Sequence, residues 1–170
     1  DKPFFDRAAQ GRYSPASTIK PAIGLFGIDK DILDWEYTIQ DPGFFILPED
    51  GRIYRGWKKG GHGEINLKDA IIESSNTFFF SLAYQTEIEE LRAHLSNFGF
   101  GKNVCDDCFM PDNGLLPSPR WKMNTHNFGW FKGDTVNVGV GQGYINATPI
   151  QLAYYSCLLY TSDAADESSS

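Results

Sequence analysis

The pattern of apolar positions predicts a helix that begins near Ser17. Apolar residues recur three or four positions apart at Ile19, Ile23 and Phe26, which is the spacing of one helix face. Ser17 is a suitable N-cap, and Pro21 falls in the first turn, where a missing N–H costs nothing. Gly27 is expected to end this helix.

Four more helices are predicted downstream. The first should be capped by Asn66 and run to about Glu73. Apolar residues then continue over 77–85, and the segment 87–98 is amphipathic. The last helix should begin at Thr148, which is followed by proline and, three residues on, by glutamine, the pattern of a capping box.

The remaining segments predict loop and little strand. Residues 29–63 contain many glycines with aromatic residues between them, so we expect loop with two short strands. Residues 99–131 should be irregular. Residues 136–141 read Val-Asn-Val-Gly-Val-Gly, an alternation that predicts a short extended piece.

Composition narrows the class of protein. Of the 170 residues, 41% are apolar and 15% aromatic, which suits the core of one domain and argues against disorder. The net charge is −7 and no basic cluster is longer than Lys58-Lys59, which argues against a nucleic-acid-binding surface. No apolar run reaches the ~18 residues of a membrane span, and no signal-peptide pattern opens the chain.

The last fourteen positions differ in character from the rest. Residues 157–170 resemble one reading frame of a transposase adapter used in DNA library preparation. We therefore expect residues 1–156 to be native and 157–170 to be non-native sequence, which is set aside when the fold is considered. The alternative is a genuine acidic tail.

The three cysteines allow more than one interpretation. Cys105 and Cys108 form a Cys-x-x-Cys pair in a polar stretch, while Cys157 stands alone. A zinc ribbon would need a second pair. The pair is therefore a loop staple or two incidental thiols, a disulfide of an oxidising compartment, or a metal ligand pair.

Two short motifs carry the chemistry. Ser17 and Lys20 are three residues apart, so on a helix they share a face, and a lysine of lowered pKa can act as a base for a serine nucleophile. Ser74-Ser75-Asn76 supplies a hydroxyl that can relay a proton and an amide that can bind a substrate carbonyl. The alternatives are a plain helix cap with a solvated lysine, and a turn between helices.

The glycine-rich segment 139–143 has a different role. Its spacing is not Gly-x-Gly-x-x-Gly, which argues against a dinucleotide-binding turn. We expect a turn that brings the backbone close to the floor of the site. Candidate substrate-binding residues are Asn76, Gly141, Gln142 and Gly143.

Several segments together resemble class B penicillin-binding proteins, in particular the penicillin-binding protein 2 branch that acts in cell elongation. The segments that carry the resemblance are residues 11–21, 41–43, 57–63, 73–79, 133–135, 139–144 and 147–151. The resemblance implies an α+β fold of the β-lactamase and transpeptidase type. It also implies that the fold is incomplete, because the later strands with their Lys-Thr-Gly motif are missing, and mainly the helical portion is present.

The same resemblance implies a D,D-transpeptidase and assigns four catalytic roles. Ser17 would attack the carbonyl of the penultimate D-Ala of a peptidoglycan stem peptide, and Lys20 would take its proton. Ser74 would help to protonate the departing D-Ala, and Asn76 would position the acyl chain. β-Lactams would acylate Ser17. Without Lys-Thr-Gly, the 170 residues alone are expected to be inactive.

Partners and location also follow from the resemblance. The expected partners are peptidoglycan stem peptides, lipid-linked glycan strands, β-lactam antibiotics and membrane proteins of the elongation complex, without nucleic acid or cofactor. The expected location is the periplasmic side of the bacterial inner membrane, with an N-terminal anchor that these residues do not include.

Some members of the family hold zinc near the active site through two Asp, a His and a Cys. Asp41 and His62 match this pattern, but Gly56 and Ser75 occupy the other two places. Two ligands do not make a tetrahedral site, so no metal is expected.

Two other functions remain open at the level of sequence. One is a serine β-lactamase or β-lactam sensor, which would need a base that activates water. The other is a non-catalytic wall-binding or scaffold protein that keeps the fold.

Overall fold

The computed structural model describes residues 5–167, and side chains over residues 5–161. The helices in chain order are α1 Arg7–Gln10, α2 Lys20–Asp29, α3 Leu67–Ile72, α4 Asn76–Tyr84, α5 Ile88–Asn97, α6 Pro119–His126, α7 Lys132–Val138 and α8 Pro149–Glu167. The strands are β1 Thr38–Asp41, β2 Phe44–Ile46, β3 Ile53–Arg55 and β4 Gly63–Asn66. A 3₁₀ turn, Ala16–Ile19, leads directly into α2.

Helix α4 is the centre of the core. It packs against α2, α3 and α7 and against strands of both ribbons. Phe78 and Phe79 are 1% and 0% exposed, and burying each phenyl ring contributes about 2–3 kcal/mol. A helix that is apolar on nearly all sides belongs inside a protein, so α4 is the support on which the neighbouring helices are arranged.

The strands form two antiparallel ribbons, one nested in the other. β1 pairs with β4 from Thr38 opposite Asn66 to Asp41 opposite Gly63, and β2 pairs with β3. Gly43 follows β1 with φ +87°, and a Cβ there would lie 2.8 Å from the Gly61 nitrogen. The segment therefore has more strand than the two short strands expected: in residues 29–63, glycines provide the turns between paired strands.

Two details of the predicted first helix are wrong. Ser17 lies inside the 3₁₀ turn and makes no side-chain cap, because the backbone of that turn already continues into α2. Gly27 does not end the helix, which continues to Asp29. Gly27 serves packing instead, because a Cβ there would lie 3.0 Å from the side chains of Leu33 and Leu82.

The capping residues predicted for the other helices are confirmed. The Asn66 side chain accepts a hydrogen bond from the Asp69 N–H at 2.9 Å and begins α3. At α8, Gln151 N–H donates to the Thr148 hydroxyl at 3.2 Å, and Thr148 N–H donates to the Gln151 side chain at 2.9 Å. The apolar face of α5 is buried, as its spacing predicts.

Two segments differ from expectation because they are helical. Residues 99–131 contain α6, where Ser118 accepts from the Trp121 N–H at 3.0 Å. Residues 132–138 form α7 rather than a strand, and its start is satisfied by Asp134, which accepts from the Phe131 N–H at 2.8 Å. The alternating valines do not form a strand. Helix α7 packs on α4 and buries residues on several of its sides, so valines two positions apart can both be buried in a helix.

Two of the three cysteines are bonded to each other, and the last helix crosses the predicted domain boundary. Cys105 and Cys108 form a disulfide, and Cys157 is free and exposed. Helix α8 continues without a break past Ser156, across the predicted domain boundary. Within residues 5–167, none of the helices has the length and apolar character needed to cross a bilayer.

Candidate active site

Lys20 brings together the two motifs found in the sequence. It is the first residue of α2 and is 1% exposed. Its Nζ donates to the Ser74 carbonyl oxygen at 2.7 Å, lies 3.0 Å from Ser74 Oγ, and donates to Asn76 Oδ1 at 2.7 Å. These partners are 54 and 56 positions away along the chain, so the fold assembles this constellation.

Burial changes the acid–base chemistry of Lys20. Loss of hydration lowers the pKa of its ammonium group from 10.5 to about 8, because a low-dielectric environment disfavours the charged form. The Phe79 ring centroid lies 5.4 Å from Nζ and forms part of this environment. Near pH 8 a large fraction of Lys20 is therefore neutral and able to accept a proton.

The turn between α3 and α4 presents Ser74 and Asn76 to Lys20. Ser74 has φ +54°, a left-handed conformation that is uncommon outside glycine. Ser75 caps α4 by accepting from the Phe78 N–H at 3.2 Å. Because Ser75 points into the core with 0% exposure, its two neighbours are directed to the other side, toward the lysine.

Ser17 lies in the 3₁₀ turn one helical turn before Lys20, and it is exposed. The preceding residue, Ala16, has φ +50° and donates its N–H to the Gly141 carbonyl at 2.9 Å. A Cβ at Gly141, where φ is +68°, would overlap the Ala16 carbonyl oxygen. The close backbone approach predicted for residues 139–143 is thus present beside Ser17, and Gln142 and Gly143 are exposed there.

Two residues that the sequence does not single out hold α2 in place. The Ala22 N–H donates to the Tyr155 hydroxyl at 3.2 Å, and the Ala22 carbonyl lies 2.9 Å from His94 Nε2. Burial raises the pKa of Tyr155 to about 12 and lowers the pKa of His94. Both residues belong to apolar faces in the sequence, so only the folded arrangement reveals their hydrogen bonds.

The residues at the positions where some relatives hold zinc form a hydrogen-bonded cluster. Asp41 Oδ2 accepts from the Ser75 hydroxyl at 2.7 Å and lies 2.7 Å from His62 Nδ1. Gly56 has no side chain to offer. Within residues 5–167 no group of three or more His, Cys, Asp or Glu side chains could hold a metal ion. The donor set therefore does not fit the zinc of some relatives.

Comparison with known proteins identifies the family. A family model described as "Penicillin binding protein transpeptidase domain" matches residues 1–160. The chain belongs to the penicillin-binding protein transpeptidase family. The resemblance to class B penicillin-binding proteins and the α+β fold class are confirmed.

Individual relatives agree with this membership. Peptidoglycan D,D-transpeptidase MrdA of Acinetobacter baumannii is 46% identical over 153 residues, which are 90% of this chain and 23% of that protein. The Escherichia coli K12 protein of the same name is 39% identical over 151 residues, 89% of this chain and 24% of that protein. The chain thus spans about a quarter of the length of these curated relatives.

Solved penicillin-binding proteins have the same fold. PBP2 of Pseudomonas aeruginosa, solved in complex with WCK 5153, superposes with a TM-score of 0.89 at 42% identity, over 93% of this chain and 36% of that one. PBP2 of Helicobacter pylori gives a TM-score of 0.84 at 34% identity, over 90% of this chain and 29% of that one. Similarity to PBP2 structures agrees with the branch that the sequence motifs indicate.

Proposed function

We propose that the protein, in its full length, is a peptidoglycan D,D-transpeptidase that works through a Ser17 acyl-enzyme. The observation that carries this proposal is the position of Lys20 Nζ, buried and within hydrogen-bond distance of both Ser74 and Asn76. The names of the curated relatives support the same activity.

In the acylation step, Ser17 Oγ forms a bond to the carbonyl carbon of the penultimate D-Ala while Lys20 takes the hydroxyl proton. The tetrahedral intermediate then collapses, the peptide bond breaks, and the departing D-Ala amine receives a proton through Ser74. The amine of a neighbouring stem peptide next attacks the ester, forms the cross-link and frees Ser17. Lys20 suits the role of base because burial lowers its pKa to about 8.

The substrate would lie along the segment next to Ser17. Gln142 and Gly143 are exposed there, and Gly141 lies against Ala16. We assign Asn76, Gly141, Gln142 and Gly143 to contacts with the acyl donor. Because Gln142 and Gly143 are exposed, this segment is open to an extended peptide.

One of the two oxyanion donors would come from outside these residues. The family takes one oxyanion donor from a Lys-Thr-Gly strand, and the 170 residues do not contain that motif. The N–H of Ser17 would be the other donor. We therefore expect turnover from the full-length gene product and none from the 170-residue chain.

Location and partners belong to the proposal as well. We assign the full-length protein to the periplasmic side of the inner membrane, where it would meet lipid-linked glycan strands and membrane proteins of cell elongation. Helicobacter pylori PBP2, with 35% sequence identity to this chain, has been solved in complex with MreC. That complex supports a partner of the same kind here.

The domain boundary is a further proposal. We infer that native sequence ends at Ser156 and that residues 157–170 come from an adapter. The sequence of residues 157–170, which resembles one reading frame of a transposase adapter, supports this. A long sequencing read across the Ser156 codon tests it: a different continuation is expected, and a genomic acidic tail would contradict the inference.

A cross-linking assay tests the activity. The full-length protein is incubated with pentapeptide stems and an acceptor amine, and released D-Ala is measured along with cross-linked product. Both are expected, and both should be lost in Ser17→Ala and kept in Ser14→Ala, a nearby exposed serine. Hydrolysis without cross-linking would favour the β-lactamase or sensor alternative, and no reaction would favour the scaffold.

A further inference from the structure

The Asp41 carboxylate lies at the end of β1, 2% exposed. Oδ1 accepts from the Gly43 N–H at 2.7 Å, and Oδ2 accepts from the Ser75 hydroxyl at 2.7 Å and lies 2.7 Å from His62 Nδ1. Burial favours the neutral acid, but these hydrogen bonds outweigh it and hold the pKa of Asp41 below its usual value. Asp41 is therefore an anion that all three donors stabilise.

Ser75 connects this anion to the candidate active site. It stands between Ser74 and Asn76, the two residues that contact Lys20 Nζ. Its side chain is 0% exposed and also caps α4 through the Phe78 N–H. A shift of Ser75 would therefore move both partners of Lys20 together with the first turn of α4.

The other end of the connection is fixed by backbone pairing. Asp41 is paired with Gly63 in the β1–β4 ribbon, and the His62 N–H donates to the Asp41 carbonyl at 3.1 Å. The His62 ring, whose side chain is 6% exposed, lies beside the carboxylate and separates it from water. The carboxylate thus has little freedom to follow a movement of Ser75, and it can hold that residue in place.

We propose that Asp41 is a positioning residue for acylation: through Ser75 it holds Ser74 and Asn76 in register with Lys20. This inference rests on the proposed function. The cluster uses the segments where some relatives hold zinc, but in this chain Gly56 and Ser75 replace two of the four ligands and hydrogen bonds join the segments instead.

The test replaces Asp41 by asparagine in the full-length protein. The new side chain keeps the shape of the old one, but it has only one acceptor oxygen, so it cannot accept from the Gly43 N–H on one side and from Ser75 and His62 on the other. We measure the single-turnover rate constant for acylation by a fluorescent penicillin across pH 6–10. We expect a fall of about tenfold to a hundredfold, because displacement of ~1 Å costs this much in a catalytic arrangement.

The pH profile separates positioning from general stability. Ser74 and Asn76 favour the charged form of Lys20 by accepting from it, so their displacement should lower its pKa and move the rate midpoint to lower pH. A rate constant counts only the protein that reacts, and misfolding alone lowers the labelled amount. A smaller amplitude with an unchanged rate constant and midpoint would overturn the proposal.

Two further variants sharpen the result. Asp34→Asn removes the same charge from an exposed turn, where Asp34 accepts from the Glu36 N–H at 3.0 Å, and it should react at the parent rate. Ser75→Ala should be slow, and the double variant Asp41→Asn/Ser75→Ala should be no slower than the slower single variant. If the two substitutions lower the logarithm of the acylation rate constant additively, Asp41 does not act through Ser75.

Failure of the inference is distinguishable from failure of the function. If the parent protein is not acylated, the proposed function and this inference both fall. If the parent is acylated and Asp41→Asn reacts at the same rate with the same midpoint, only the positioning role is overturned.

Discussion

At the scale of single residues, burial changes the acid–base chemistry of Lys20. Lys20 lies 1% exposed among oxygen acceptors from the turn before α4. The sequence alone identified Lys20 and its spacing from Ser17, because both are local features. It could not predict the lowered pKa, which depends on Phe79 and on residues more than fifty positions away.

The first prediction concerns the pH dependence of acylation. If Lys20 is the base that accepts the Ser17 proton, the acylation rate of the full-length protein should rise with pH through a midpoint near 8 and level off at higher pH. Lys20→Ala should lower the rate by about a hundredfold to ten-thousandfold, while Lys30→Ala, an exposed residue, should leave it unchanged. A profile without a step near pH 8 would contradict the role of Lys20 as base.

At the scale of elements, three contacts place the Ser17 turn and α2. The Gly141 backbone holds Ala16 from one side, while α5 and α8 hold Ala22 through His94 and Tyr155. The starts of α3 and α8 were predictable because their caps are local. The start of α7 was not, since its buried valines imitate strand alternation and only packing on α4 decides between the two.

The second prediction concerns Gly141. Gly141→Ala should prevent the close approach to Ala16, both because φ is +68° and because the added Cβ would overlap a carbonyl oxygen. We expect a lower melting temperature of the chain and slower acylation of the full-length protein. Gly129→Ala is the control, since a Cβ there meets nothing within 4 Å. Equal stability of the two variants would show that the contact is dispensable.

The third prediction concerns Tyr155. Tyr155→Phe removes the hydroxyl that accepts from the Ala22 N–H, which should cost about 0.5–1.5 kcal/mol in the free energy of unfolding. Tyr160→Phe, on the same helix at 83% exposure, should have no effect. Urea unfolding of the 170-residue chain measures both. An unchanged free energy of unfolding in Tyr155→Phe would mean that water satisfies the Ala22 N–H.

The fourth prediction concerns His94. Burial lowers its pKa below 6.5 even though Asp29 lies nearby. The unfolded chain therefore binds the proton more strongly, and the free energy of unfolding should fall as pH drops below about 6.5. His94→Gln retains a donor for the Ala22 carbonyl and should flatten this decline, whereas the exposed His126→Gln should not. The same slope in both variants would assign the decline to other groups.

At the scale of the whole molecule, family membership came from many short motifs rather than from the overall pattern. Motifs from Ser17 to Gln151 lie far apart in sequence, and the fold brings Ser74 and Asn76 to Lys20. The number of strands and the existence of α6 and α7 were not predictable from periodicity, because tertiary contacts decide the state of short segments. The hydrogen bonds of Asp41 were hidden for the same reason.

The most direct measurement is the mapping of a β-lactam adduct. Full-length protein is labelled with a fluorescent penicillin and digested, and the modified peptide is sequenced by mass spectrometry. We expect one long-lived adduct, on Ser17, that is absent from Ser17→Ala. An adduct on another serine, rapid release of the label, or no labelling of the folded protein would contradict it.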